Sequence, residues 1–216
     1  MAGIIVVGKI SGQGQDVQAD SSALVALKPF NPGALGQYKM ALKSGLMAAG
    51  LGAGSPIAAF RYGGANIATV RRILFSAGVN TTGFALGAAQ FDLYAARSFT
   101  ASDSGGTAAT LTGNNGKLRT AYATTGLADF RVSSTATLTA GTRTLDAQQL
   151  ESMVRSMSVS TSQDIVNPET EFFKALPGDQ RLILATNEGF VIQATVPATG
   201  TWNFTVGVEW DESAVW

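Results

Sequence analysis

The sequence predicts an all-β protein: a β-sandwich of the jelly-roll type with an extended amino-terminal arm. Three observations predict this class. The first is that about nine short apolar runs are separated by Gly, Pro and Asn, and the second is that no strand–helix–strand rhythm accompanies them. The third is a regular alternation of apolar and polar residues near the carboxyl terminus, typical of a strand with one buried face. We expect residues 1–22 to form an arm or edge strand with its tether, and residues 23–216 to form one sandwich domain.

Composition narrows the range of functions. Charged residues make up 14% of the chain, against about 25% in ordinary soluble domains. The 15 basic and 15 acidic residues balance, so the positive field that dominates nucleic-acid affinity is missing, and we expect no nucleic-acid partner. The chain contains no Cys and no His, the usual thiolate and imidazole metal ligands. We therefore expect no cofactor, and a charge-poor surface suited to assembly.

The apolar run near the amino terminus consists of four residues: Ile4, Ile5, Val6 and Val7. It is too short for a signal peptide or a membrane span, so we expect a protein made in the cytoplasm with no membrane partner. The polar stretch from Ser11 to Ser22 predicts a flexible tether. Two interpretations stay open: a first edge strand of the domain's own sheet, or an arm that adds a strand to a neighbouring subunit.

Alternation also predicts strands in the first half of the chain. Around Tyr38 it fits better than helical spacing does. Further on, Arg71 and Arg72 would lie on opposite faces of one strand, so at least one of them needs a partner on a packed side. Asp92 is the expected partner, and a partly exposed ion pair is favoured over a functional arginine site.

From Ser98 to Thr144 the chain is rich in Ser, Thr, Gly and Asn, which favours turns, short strands and long loops. Asp103, Asn114 and Asn115 carry oxygens that could bind calcium, but their spacing matches no EF-hand loop, so turn chemistry is favoured. Residues 145–160 fit either a helix or a strand; the β character of the surrounding sequence favours a strand.

The segment FVIQATVPATGTWNFTVGVEW, residues 190–210, predicts a β-hairpin with one buried face. In the predicted register Val196 lies opposite Trp202 and Phe190 lies opposite Val208. The core face of this hairpin is predicted to contain Phe190, Ile192, Val196, Trp202, Phe204, Val206, Val208 and Trp210.

Catalytic signatures do not appear in the sequence: G-x-S-x-G, the P-loop and H-E-x-x-H are all missing. A glycosidase needs only two acids, and the candidates are Glu169 with Glu171, and the group Glu209, Asp211 and Glu212. Solvated charges that protect an edge strand are the favoured interpretation. We expect no enzymatic activity and no small-molecule substrate.

Three segments, RSFTASDSGGTAATLTGNNGKLRTAYATT, TATLTAGTRTLDAQ and NEGFVIQATVPATGTWNFTVGVEWDE, resemble a family of tailed-bacteriophage virion proteins. The similarity extends from about Tyr38 to Asp211 and brings no catalytic motif with it. It implies a structural component located in the virion and encoded among head and tail genes. The Gly- and Gln-rich amino-terminal segment departs from the family.

Two functions therefore compete. The first is a capsid decoration or cement protein that lies over junctions between major capsid subunits. Its expected partners are the major capsid protein and further copies of itself, with which it would form a homotrimer. The second is a tail, neck or fibre protein with an anchoring or host-binding role. The first is favoured because aromatic residues such as Trp202 and Trp210 fall on strand faces and not in loops.

Overall fold

The computed structural model describes residues 35–79, 87–157, 170–175 and 181–214. Within these ranges the chain forms thirteen β-strands and no helix. The strands are β1 (Gly36–Lys43), β2 (Met47–Ala48), β3 (Ser55–Tyr62), β4 (Ile67–Val79), β5 (Gly87–Phe99), β6 (Thr107–Ala108), β7 (Leu127–Val132), β8 (Arg143–Leu145), β9 (Glu151–Met157), β10 (Thr170–Lys174), β11 (Leu182–Leu184), β12 (Gly189–Thr195) and β13 (Thr201–Ser213).

The strands pair into two antiparallel sheets. The first sheet has the order β1-β13-β4-β10, with β2 paired to β13 and β11 paired to β4. The second sheet has the order β6-β7-β3-β12-β5-β8, with β9 paired to β5. The all-β sandwich predicted from the sequence is confirmed, and its jelly-roll version stays a prediction.

An apolar core fills the space between the sheets and joins them through aromatic contacts. Phe60 of the second sheet meets the edge of Trp210 of the first at a centroid distance of 5.3 Å. At the other end of the core, Phe91 of the second sheet lies 5.8 Å from Trp202 and 4.6 Å from Phe75. Such ring pairs stabilise the fold beyond the area that they bury. The core therefore determines which face of each sheet points inward.

The predicted carboxyl-terminal hairpin is wrong in its pairing. β12 pairs with β3 and β5 in the second sheet, whereas β13 pairs with β1 and β4 in the first. Alternation identifies which side chains share a face but not which strand lies alongside, and these two apolar faces meet across the sandwich. The predicted core residues are all buried: Phe190, Ile192, Val196, Trp202, Phe204, Val206, Val208 and Trp210.

A β-bulge in β4 explains how two adjacent arginines stay out of the core. Glu209 and Trp210 of β13 pair with Arg72 and Val70, which leaves Arg71 as an extra residue. One extra residue shifts the alternation, so apolar side chains on both sides of the bulge face inward while both arginines face outward. The prediction that the arginines lie on opposite faces is therefore wrong.

Asp92 is not the partner of either arginine. Its carboxylate accepts hydrogen bonds from Gln90 Nε2 at 2.9 Å and from Ser152 Oγ at 2.6 Å, within the second sheet. The expectation fails because the bulge places both arginines on the outer face of the first sheet.

In the segment 145–160, where helix and strand were both open, the structure has strand at Leu145 and over Glu151–Met157, and residues 146–150 between them are neither helix nor strand. β9 pairs along its length with β5. Residues 158–160 lie outside the described residues, as do Ile4 to Val7 and the tether from Ser11 to Ser22. The two interpretations of the amino-terminal arm therefore remain predictions.

Replacing Phe204 by Ala tests the core between the sheets. Phe204 is 1% exposed and its ring lies 5.3 Å from that of Trp202 and 5.8 Å from that of Phe75. We expect the free energy of unfolding, measured by urea titration, to fall by about 3–5 kcal/mol because a large cavity is left. The control is Val154→Ala at a side chain that is 62% exposed, where the change should stay within about 0.5 kcal/mol. Equal effects of the two substitutions would contradict the core assignment.

Candidate functional site

The outer face of the second sheet is covered in part by the chain itself. A second apolar cluster lies there, and it brings Leu138, from the segment between β7 and β8, onto strand residues. The cluster consists of Ala59, Ala96, Phe99, Leu138 and Val191. Arg61 on the same face donates hydrogen bonds to Ser102 Oγ at 3.1 Å and to Asn187 Oδ1 at 2.6 Å. Arg61 Nε, however, is buried and has no hydrogen-bond partner among the described residues, so this face also holds an unsatisfied group.

The outer face of the first sheet carries charged side chains from β1 to β10. We call this surface the charged face and define it by Lys39, Lys43, Arg71, Arg72, Glu171, Lys174, Arg181, Glu209 and Asp211. Six of these side chains are basic and three are acidic, an excess of three positive charges, although the whole chain is neutral. The fold thus gathers positive charge on one face, which the zero net charge of the whole chain does not reveal.

Ion pairs connect neighbouring strands along the charged face. Lys39 Nζ lies 2.8 Å from Glu209 Oε1, and this hydrogen bond holds the pKa of Glu209 below its ordinary value. Arg72 Nη1 lies 3.5 Å from Glu171 Oε1, and Lys174 Nζ lies 2.9 Å from Glu171 Oε2. These side chains are partly exposed, so each pair contributes at most about 1 kcal/mol to stability.

Asp211 is the unusual member of the charged face. It is 1% exposed, yet neither carboxylate oxygen has a hydrogen-bond partner within the described part of the chain. Arg71 Nε lies 3.4 Å and Arg181 Nη1 lies 3.8 Å from Asp211 Oδ2, longer than well-formed hydrogen bonds. Burial raises the pKa of Asp211, and this effect exceeds the opposing attraction of the two arginines. The Asp211 carboxylate is therefore attracted by two arginines but accepts no hydrogen bond from the described residues.

Other polar atoms around Asp211 are also buried without a hydrogen-bond partner in the described part of the chain. Thr69 lies directly across from Asp211 on β4, and Ser213 follows on the same face of β13. Thr69 Oγ1, Ser213 Oγ, Arg72 Nε and Arg181 Nη1 are all buried and make no hydrogen bond to the residues that the structure describes. Buried polar groups in folded proteins nearly always have partners. These atoms are also closed to solvent, so they are a cost to the stability of the fold, and the groups open to solvent are the partly exposed charges around them.

Glu212, the next residue on β13, faces the core and is fully hydrogen-bonded. Its Oε1 accepts from Thr125 Oγ1 at 2.5 Å and from Trp210 Nε1 at 3.2 Å. The backbone N–H of Gly126 lies 3.0 Å from both carboxylate oxygens. Burial, together with this nearby negative charge, raises the pKa of Tyr38 to about 12. Glu212 therefore anchors a loop at one end of the sandwich, and its role is structural.

The carboxylates considered from the sequence as acid pairs are separated by the fold. Glu209 and Asp211 share the outer face of β13, while Glu212 lies on the opposite face. β13 is a central strand with neighbours on both sides, so the interpretation of these acids as charges protecting an edge is wrong. Glu171 belongs to the charged face, and Glu169 lies outside the described residues.

The oxygens considered as calcium ligands serve the fold. Asp103 forms a buried ion pair with Arg143 and accepts a hydrogen bond from the backbone N–H of Gly141 at 2.9 Å. Asn115 donates to the carbonyl of Thr112 at 2.7 Å, within a turn. In the described ranges no three acidic side chains gather as a group that could hold a metal ion.

Comparisons with known proteins add no constraint on this site. The chain matches no known protein family, no curated protein and no solved structure. Among the residues that the structure describes, there is no helix with the length and apolar character that a membrane crossing requires.

Neutralising the two adjacent acids of β13 one at a time tests their different roles. In Glu212→Gln an amide group meets the N–H and O–H donors of Gly126 and Thr125, so we expect the free energy of unfolding to fall by about 1.5–3 kcal/mol. In Asp211→Asn a carboxylate that is costly to bury disappears, so stability near neutral pH should rise. Urea titrations of both variants measure the difference.

The pH dependence gives a second measurement for Asp211. Its folded-state pKa lies above the unfolded value, so the folded state binds the proton more tightly than the unfolded state. Wild-type stability should therefore decline as pH rises from the ordinary carboxyl range through the folded pKa, and Asp211→Asn should lack this decline. Asp211→Asn as destabilising as Glu212→Gln would contradict the assignment.

Proposed function

We propose that this protein is a structural component of a bacteriophage particle, a capsid decoration or cement protein that stabilises contacts between major capsid subunits. The charged face carries the proposal, because its charged side chains, most of them partly exposed, give one side of a neutral chain an excess of three positive charges. A protein that attaches to an assembled shell needs one such face. The resemblance of the sequence to tailed-phage virion proteins supports the same role.

The strand order supports the jelly-roll version of the sandwich. The strands β1, β4, β10 and β13 lie in the first sheet and β3, β5, β8 and β12 in the second, so the chain changes sheet at every step among these eight strands except from β5 to β8. The rows β1-β13-β4-β10 and β3-β12-β5-β8 correspond to two interlocked Greek keys, and β6 and β7 extend the second row beyond β3. Jelly rolls occur in viral capsids, but one fold serves many functions, so the surface carries the argument.

The amino-terminal arm extends the proposal to self-association. The apolar residues Ile4 to Val7 precede a polar tether, Ser11 to Ser22, which spans about 40 Å when extended. That is enough to reach an adjacent molecule. We expect the arm to add a strand to a second copy or to the major capsid protein, with the protein assembled as a trimer.

The amount of the protein in purified particles tests the particle role. Quantitative mass spectrometry against the major capsid protein should give a copy number of the same order as that of the capsid subunits. A few copies per particle would favour a tail, neck or fibre location and contradict the cement role. Complete absence from particles would overturn the proposal.

Deleting residues 1–22 tests the arm. We expect the truncated protein to keep a near-normal melting temperature and to bind particles poorly, because main-chain pairing and apolar burial by the arm are lost. Since such a contact is only weakly sensitive to salt, wild-type binding through the arm should survive a rise in ionic strength. Loss of folding would identify the segment as an internal strand; unchanged binding would show that the arm is dispensable.

A further inference from the structure

We propose that the charged face binds a carboxylate-rich surface of a partner protein. This inference deepens the proposed function by naming the chemistry of the docking partner, and it rests on that function only in taking the partner to be a protein of the particle. Its basis is the excess of three positive charges on the face, together with arginine side chains that are partly exposed and lie 3.4–3.8 Å from the acids of the face.

The arginine donors carry the first step. Arg72 approaches Glu171 only to 3.5 Å, and Arg181 approaches Asp211 only to 3.8 Å. The Arg72 side chain is 33% exposed and the Arg181 side chain is 23% exposed, so each can be approached from solvent. A guanidinium offers donors in a planar fork that matches a carboxylate. The acids of the chain thus attract these arginines only at long distance, and an incoming carboxylate can bind their exposed sides.

The exposed acids of the charged face decide which class of macromolecule fits. Glu209 is 26% exposed and Glu171 is 40% exposed, so both place negative charge beside the basic side chains. A phosphate backbone or an anionic lipid surface carries negative charge throughout and would repel these acids. A protein surface can offer carboxylates to the basic side chains and N–H donors to the acids. The mixture of exposed charges of both signs therefore favours a protein.

An apolar side chain lies beside the polar cluster. Ile183 of β11 is 42% exposed, while its neighbours Leu182 and Leu184 face the core. Ile183 pairs with Thr69, and Thr69 pairs with Asp211, so the three side chains form one row across the outer face. Apolar surface next to oriented polar groups is what a protein interface uses.

The isolated full-length protein tests this inference with a fluorescently labelled peptide of alternating Glu and Gln, which offers both carboxylates and N–H donors, and its binding is followed by anisotropy. The double variant Arg72→Gln, Arg181→Gln removes both guanidinium groups and should weaken binding about tenfold or more. The matched control is Arg97→Gln on the second sheet, where Arg97 donates to both oxygens of Asp146 at 2.6–3.0 Å. Its binding should stay within about twofold of wild type.

Several results would overturn the inference. Equal weakening in the control would show a general charge effect, and tighter binding of single-stranded DNA of the same length would identify a nucleic-acid surface. The chain also carries Asp164, Glu169 and Asp179 outside the described residues. If neutralising these three acids strengthens peptide binding tenfold, the chain's own acids occupy the face.

A single substitution replaces the double variant if that variant fails to fold. Arg181→Gln is suitable because this arginine precedes β11 and its side chain is 23% exposed. Peptide binding by Arg181→Gln should weaken about threefold. Peptide binding is measured without particles. Failure there overturns the acidic partner, whereas failure of the copy-number experiment overturns the particle role.

Discussion

The alternation of side chains along β13 is the constraint on which the rest of the structure depends. Its inward residues, from Trp202 to Trp210, fill the space between the sheets, and both of its backbone edges are paired, to β1 and to β4. A strand held in this way cannot slip by one residue without moving its tryptophans to the outside. Every outward residue of β13 is therefore placed by the core, including the acids at the centre of the charged face.

The same alternation separates a stabilising acid from a costly one. Glu212 turns inward and finds four hydrogen-bond contacts, whereas Asp211 turns outward and finds none among the described residues. A buried carboxylate without donors destabilises the free protein. A stability argument alone gives no reason for Asp at this position.

How much of this could be predicted from the sequence depends on the range of the interaction. Alternation is local, so the buried faces of residues 190–210 and the outward direction of Glu209 and Asp211 were predictable. Strand partners are not local, and the hairpin prediction failed because residues 196–200 carry the chain from one sheet to the other. The bulge at Arg71 has no marker such as glycine, so the outward arginines and the uneven charge emerge only from the assembled sheet.

The central claim is that the outer face of the first sheet meets the partner. The chain contains no cysteine, so single cysteines can report on each face. Ala41 of β1 and Ala88 of β5 are both exposed, on the outer faces of the first and second sheets. We would measure maleimide labelling of Ala41→Cys and Ala88→Cys, free and after binding to purified particles. The account predicts that binding protects Ala41→Cys and leaves Ala88→Cys reactive; protection of Ala88→Cys alone would contradict it.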